Sequence, residues 1–349
     1  MGVSCPQSRW DDRVDTEKTA SRRTSDLPSG RLLTPRTVAP LGLTAHELRS
    51  AHRLGQMVRL RRGVYAKTAD LDPVQRHHLR ILAAKDLLDE SAVLSHVSAA
   101  VWRGLDVPWA MIDDRVHVTR GIAGGSIRER LATHTGQVPD DQWTVIDGLR
   151  VTTVARTVVD LARVSEVKPA VALADRVLRQ DGADASRTEM QRILGQSKGR
   201  RGVGQARWVV GFADPRAESG GESVSRVVLE SLGVPTPELQ FEVRTVRGAL
   251  IGRTDFAWPR HRTLGEFDGR VKYRRLPAAN GEDPGEVVFR EKRREDRLRA
   301  AGWEVVRWTW DELARPEELE QELRQAFLRG EQRWGADTSD PGSARARGR

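Results

Sequence analysis

Four carboxylates in the C-terminal part of the chain have the types and spacing that metal-assisted chemistry requires. Asp255 falls late in RTDFAW (253–258), a stretch that reads as a strand. Glu266 and Asp268 stand two apart in LGEFDGRVKY (264–273), so on a strand their side chains share a face. If the two strands pair, three carboxylates converge, and an upstream helix adds Glu222. Converging carboxylates repel, and each one buried without a partner costs several kcal/mol. A divalent cation removes that penalty, and Mg²⁺ is typically held by one or two carboxylates with water and phosphate oxygens. Such an ion can activate water and stabilise charge on a phosphodiester. For any one of these acids the alternative stands: pairing with one of the abundant arginines on a solvated strand edge.

The elements that must position these acids read as αβββαβα from about Glu218 onward. A helix runs to about Leu232, and strands follow near 239–246, 250–258 and 263–268. A loop with Pro277, Gly281 and Pro284 leads to a helix over 286–301, a strand over 303–308 and a final helix over 316–329. That order suits a mixed sheet flanked by helices. Glu291, Arg294 and Leu298 are spaced three and four apart and share one helical face.

Cations concentrate at the other end. Residues 1–70 carry 13 cations and 7 anions, whereas residues 217–330 carry 20 and 21. The overall excess, 58 Lys+Arg against 49 Asp+Glu, includes only seven lysines, and that skew also fits a GC-rich genome. Thr34 before Pro35 is an N-cap with proline in the first turn, Gly42 stops that helix, and Thr44 with Glu47 makes a capping box for a second. Met57 to Tyr65 then alternates through Arg59, Arg61 and Arg62, with Gly63 as the turn of a basic hairpin. A helix face carrying His46, Arg49 and Arg53 beside such a hairpin suits a nucleic-acid duplex, the helix in the major groove and the hairpin arginines on phosphate. Protein contact is the alternative use of a small helix–hairpin unit.

The sequence divides into a disordered tail (1–30), a basic module (31–68), a mostly helical middle (70–215), a carboxylate-bearing domain (217–330) and a second disordered tail (335–349). Helices are expected at 73–89, at 95–102 with Ser95 as cap, and at about 153–163, 168–180, 186–195 and 203–212, with strands at 116–119 and 149–152. No run of about 18 apolar residues exists to span a membrane, and the polar first thirty residues lack a secretion signal. These features lead to the expectation of a soluble, cytoplasmic protein. Cys5 is the only cysteine, which excludes a disulfide framework and a multi-cysteine metal site. Gly121–Gly125 lacks the Gly-Lys-Ser/Thr of a P-loop, no Gly-x-Ser-x-Gly string occurs, and His77-His78 read as packed or solvated side chains.

Residues 218–313 resemble the very-short-patch-repair endonuclease branch of the PD-(D/E)XK nucleases. The string runs through Glu222, Asp255, the E-x-D-G of Glu266–Gly269, Glu291, Arg294, Leu298, Gly302, Val305 and Arg307. The resemblance implies that Asp255 and Glu266 hold Mg²⁺. The superfamily's lysine, two residues after the second acid, is here Asp268, and Lys272 is the residue expected to take its place. Residues 34–66 resemble the winged-helix domain that opens abortive-infection antitoxins of the type IV toxin–antitoxin class, through LTAHELRSAHRLGQMVRLRRGVYA (43–66), and RVTTVARTVVDLA (150–162) continues that resemblance. Together these imply a multidomain α+β or α/β protein: a winged helix-turn-helix head, a mostly helical middle and a restriction-endonuclease-like αβββαβ domain. The expected function is Mg²⁺-dependent cleavage or nicking of double-stranded DNA in defence or repair. The catalytic set would be Glu222, Asp255, Glu266, Asp268 and Lys272, and the DNA-contacting set Arg49, Arg53, Arg59, Arg61 and Arg62. The rival is a non-catalytic, antitoxin-like transcriptional repressor with a cognate toxin as partner.

Overall fold

A computed structural model describes residue 27 and residues 29–121, 127–128, 130–269 and 284–334. The chain forms two compact units, one from residues 1–165 and 189–206, the other from 166–188 and 207–349.

In the first unit the head follows the local sequence signals. Thr34 caps α1 (Pro35–Val38) in a reciprocal box with Thr37, and a 3₁₀ turn (Ala39–Leu41) runs on to Gly42. Thr44 and Glu47 cap α2 (Ala45–Arg53), with the Thr44 N–H donating to Glu47 Oε2 at 2.7 Å. β1 (Val58–Arg61) and β2 (Val64–Ala66) pair antiparallel, Arg59 opposite Tyr65. Their turn needs Gly63, whose φ of 76° is the left-handed region that side chains disfavour. Leu33, Val38, Leu43, Leu48, Met57 and Tyr65 close a small core. The hairpin's other apolar face, Leu60, Val64 and Ala66, buries against Leu79 and Ala83 of α3 (Pro73–Ala84).

The expectation of a mostly helical middle is corrected over residues 93–152. Six strands lie there in one mixed sheet: β3 (Val93–Leu94), β4 (Val116–Arg120), β5 (Ile127–Arg128), β6 (Leu131–Thr135), β7 (Trp143–Ile146) and β8 (Leu149–Thr152), ordered β5-β6-β4-β3-β8-β7. Two of them are only two residues long, and β6 reads LATHT, with too little apolar alternation to announce a strand. α4 (His96–Trp102) and α5 (Val154–Val164) belong to the same unit. Ser95 precedes α4 without capping it through its side chain; its hydroxyl instead accepts from Thr119 Oγ1 at 2.8 Å. In α5, Arg156 and Asp160 form a buried pair at 2.8 Å, and Arg156 also donates to Gln142 Oε1 at 2.7 Å.

The second unit holds α6 (Val167–Asp181), α9 (Gly220–Ser231) and a four-stranded sheet of order β12-β11-β10-β9. β9 (Glu238–Arg244), β10 (Leu250–Trp258) and β11 (Thr263–Phe267) are antiparallel neighbours; α10 (Pro284–Ala300) crosses over so that β12 (Glu304–Trp308) runs parallel to β11. The strands alternate as half-buried strands do. Phe256, Trp258, Val306 and Trp308 face α9 and the last helix, α12 (Pro316–Trp334), which follows the short α11 (Trp310–Leu313). Ala257, Leu264, Val243 and Ile251 face Leu298 of α10 and Trp303. The expected order αβββαβα is therefore present, with a mixed sheet between helices. α9 comes against the end of β11 at Gly221, where an added Cβ would lie 1.9 Å from the Phe267 ring. Only a glycine lets the first turn of α9 approach that closely. The remaining helices, α7 (Ala183–Gln196) and α8 (Val203–Phe212), each contribute residues to both units.

Candidate functional site

Asp255 and Glu266 lie on the α10 face of the sheet. The pairing of Phe256 with Gly265 brings Asp255 and Glu266 to facing positions. Asp255 Oδ2 accepts the Phe267 N–H at 2.9 Å. Burial pushes the Asp255 carboxyl up to about 6, the Phe267 N–H opposes this, and the charges of Glu222 and Glu266 add to the rise. Glu222 is buried in the first turn of α9, where its Oε2 accepts from the Glu218 N–H at 2.8 Å and from Gln240 Nε2 at 2.9 Å. Glu222, Asp255 and Glu266 are thus brought together. Asp268 is exposed just past the end of β11, where its backbone N–H donates to the Trp308 carbonyl at 2.8 Å. Lys272 lies outside the described residues.

Arginine, rather than open space, meets Glu266. Arg294 reaches Glu266 Oε1 at 2.6 Å and Arg307 reaches Oε2 at 2.9 Å. Arg294 is further held by Glu291 at 2.9 Å and by the Arg253 carbonyl at 2.6 Å, and Arg307 also pairs with Glu291. Leu298, on the same face of α10, is fully buried, so this face is an ion-pair network beside a core leucine. As arranged, the donor set does not fit Mg²⁺. Both oxygens of one expected ligand are taken by guanidinium groups, and an ion would have to displace them.

The raised carboxyl has a measurable consequence. Asp255 binds its proton more tightly folded than unfolded, so its contribution to stability is complete below about pH 4 and is lost as pH rises through about 6. Asp255→Asn is expected to remove that loss, raising stability at pH 7.5 by roughly 2 kcal/mol relative to pH 4. Urea denaturation of both proteins at the two pH values checks it, and parallel pH profiles would refute it.

In the first unit, Arg49 and Arg53 are exposed on α2, and Arg62 is exposed at the hairpin turn. Arg61 is turned inward: its guanidinium donates to the Ala83 carbonyl and pairs with Asp86 at 3.4 Å. Arg59 is half-buried, and its carbonyl accepts from Arg130. Beneath the hairpin is a cavity of about 420 Å³ whose polar lining is His52, Arg59, Arg61, Arg62, Arg80 and Arg130. Five of its six polar side chains are arginines, of which Arg61 pairs with Asp86 and Arg80 with Asp114.

Sequence reasoning missed a histidine cluster in this unit. His96, His117 and His134 bring one potential ligand atom each to within 4.8 Å of the others. Burial holds His96 well below the usual imidazole range, and burial first, then His117, lowers His134 to about 4. The three sit on α4, β4 and β6 at separations of 21 and 17 residues, which match no local motif.

Comparison with known proteins places residues 93–211 under the AbiEi antitoxin C-terminal domain. The match covers the six-stranded sheet and the helices after it, and begins beyond the basic head. Two Mycobacterium tuberculosis proteins, the uncharacterized protein MT2308 of strain CDC 1551 / Oshkosh and the uncharacterized protein Rv2248 of strain H37Rv, are each 31% identical over 279 residues. Each alignment spans 78% of this chain and 93% of the relative. The crystal structure of the RV2827C protein from the same species aligns with 64% of this chain and 82% of its own at 17% identity, with a TM-score of 0.35 that carries no functional argument. No helix among the described residues is long and apolar enough to cross a membrane. On its identity and span, the chain belongs to the family of these two mycobacterial proteins, and within it residues 93–211 match the AbiEi antitoxin C-terminal domain.

Proposed function

We propose that the protein is a DNA-binding antitoxin that represses transcription, with a cognate toxin polypeptide as its partner. The observation that carries this reading is the antitoxin-domain match at 93–211, downstream of a basic helix–hairpin head. The head would act as a winged helix: α2 presents Arg49 and Arg53 to the duplex while Arg62 meets phosphate at the hairpin turn. Binding to a labelled duplex from the region upstream of its own gene, titrated with salt, tests it. Tight binding that outcompetes random duplex and weakens steeply with salt is expected. No binding to either duplex at low salt would overturn the reading.

Metal-dependent cleavage is the second reading, and the crowding of Asp255 by Glu222 and Glu266 is what favours it. Against it stands the arginine pairing of Glu266. The protein is therefore expected to leave supercoiled plasmid intact with Mg²⁺ or Mn²⁺. Nicking that disappears in Asp255→Ala would replace the repressor reading with the nuclease one.

A further inference from the structure

We infer that His96, His117 and His134 form a binding site for one divalent cation of the Zn²⁺ class, with Asp113 and Ser95 as positioning residues. Three observations converge on it. The donor atoms of the three rings already lie within 4.8 Å of one another. A zinc ion about 2.0–2.1 Å from each nitrogen sets tetrahedral ligands about 3.3 Å apart, so His117 and His134, at 2.9 Å, part slightly and the His96 ring, stacked on His134, turns to aim a nitrogen at the ion. The rings are also held from behind. His117 Nε2 is 3.0 Å from Asp113 Oδ1, so its N–H donates to the carboxylate and its Nδ1 lone pair is directed at His134 Nε2, 2.9 Å away. A carboxylate behind a ligating imidazole fixes its tautomer and raises its basicity. Ser95 Oγ, 3.0 Å from His96 Nδ1, fixes the plane of the third ring.

The backbone is the third observation. His96 opens α4 at φ 52°, left-handed for a non-glycine residue. Strain of this kind costs about 1–3 kcal/mol and recurs at ligand clamps. Here it brings the His96 ring against His134, centroids 3.7 Å apart. The nearby cations Arg156 and Arg163 share one carboxylate, Asp160, which offsets one of their two charges. Imidazole nitrogens suit Zn²⁺ and its neighbours in the first transition row, whereas Mg²⁺ takes oxygen ligands. Three protein ligands leave a fourth tetrahedral position for water. The cation would tie the start of α4 to β4 and β6, within the segment that matches the antitoxin domain.

The test uses the full-length protein, stripped with chelator and dialysed, and titrated with Zn²⁺ against a chromophoric competitor. One Zn²⁺ per chain is expected, with a rise in melting temperature on binding and the visible spectrum of tetrahedral Co²⁺ when cobalt is substituted. His117→Gln and His134→Gln should each weaken Zn²⁺ binding at least about 100-fold, and Asp113→Asn about 10–100-fold, with circular dichroism verifying that each variant is folded. Mg²⁺ should not compete. Failure of the wild-type protein to take up stoichiometric Zn²⁺, or equal uptake by both glutamine variants, would overturn the site and leave a hydrogen-bonded histidine stack. Neither result bears on DNA binding, which is measured separately.

Discussion

Replacing Arg226 by alanine is expected to destabilise the second unit by about 3–5 kcal/mol, the usual cost of breaking one half of a buried ion pair. Arg226 on α9 meets Asp175 on α6 at 2.8 Å, with the side chains 9% and 1% exposed. It also donates to the Phe212 carbonyl at 2.5 Å and lies over the Phe212 ring. Burial raises the Asp175 carboxyl to about 6 even with Arg226 beside it. Without the arginine, the carboxylate must either remain charged in an apolar setting or take up a proton. Adding Asp175→Asn to Arg226→Ala should therefore restore part of the loss, and the benefit should grow as pH rises from about 4 through 6 and beyond. Arg324→Ala, which breaks an exposed pair with Glu320, should cost less than about 1 kcal/mol. Urea denaturation at pH 7.5 distinguishes the cases. An Arg226→Ala cost no larger than that of Arg324→Ala would show that the pair contributes nothing specific.

Changing Arg49, Arg53 and Arg62 together to alanine is expected to lower duplex affinity by roughly 100-fold at 0.15 M salt. Each phosphate contact adds about 0.9 to the slope of log affinity against log salt, so losing three should flatten it by about 2.7. Extrapolated from a 1 M reference, that slope change is about two orders of magnitude at 0.15 M. These three are exposed, whereas Arg61 is committed to the Ala83 carbonyl and Asp86, so Arg61→Ala should act mainly on the packing of the hairpin against α3. An unchanged slope in the triple variant would move the duplex to another surface.

What the sequence made legible was local. Thr34, Thr44 and Glu47 announced their caps because a capping box needs only residues three apart. The strands around Asp255 and Glu266 were readable because their apolar residues alternate and punctuation falls at their ends. Even the facing of those two acids followed from pairing neighbouring strands. Arg61's inward turn did not, because it depends on a helix more than twenty residues away and on a main-chain carbonyl that no sequence pattern marks. The same holds for Glu266: its arginines are 28 and 41 residues downstream, and the sequence alone left both metal and ion pair open. The histidine cluster was invisible for two reasons. β6 did not read as a strand, and without β6 beside β4 nothing brings His134 to His117.

The chain passes between its two units after residues 165, 188 and 206. A gene fusion or a protease that acts near residue 216 therefore does not separate two self-sufficient parts. It leaves α6 on the N-terminal fragment while removing α9, the helix whose Arg226 answers Asp175. The fragment would keep its basic head together with a buried acid and an uncovered apolar helix, which is a description of a degradation substrate. Exchange of the C-terminal sheet for another domain is for the same reason tolerated only by a partner that brings its own counterpart of α9. In lineage terms the joint behaves as a splice in which each strand is wound into the other, so its halves are expected to be inherited, gained and lost together.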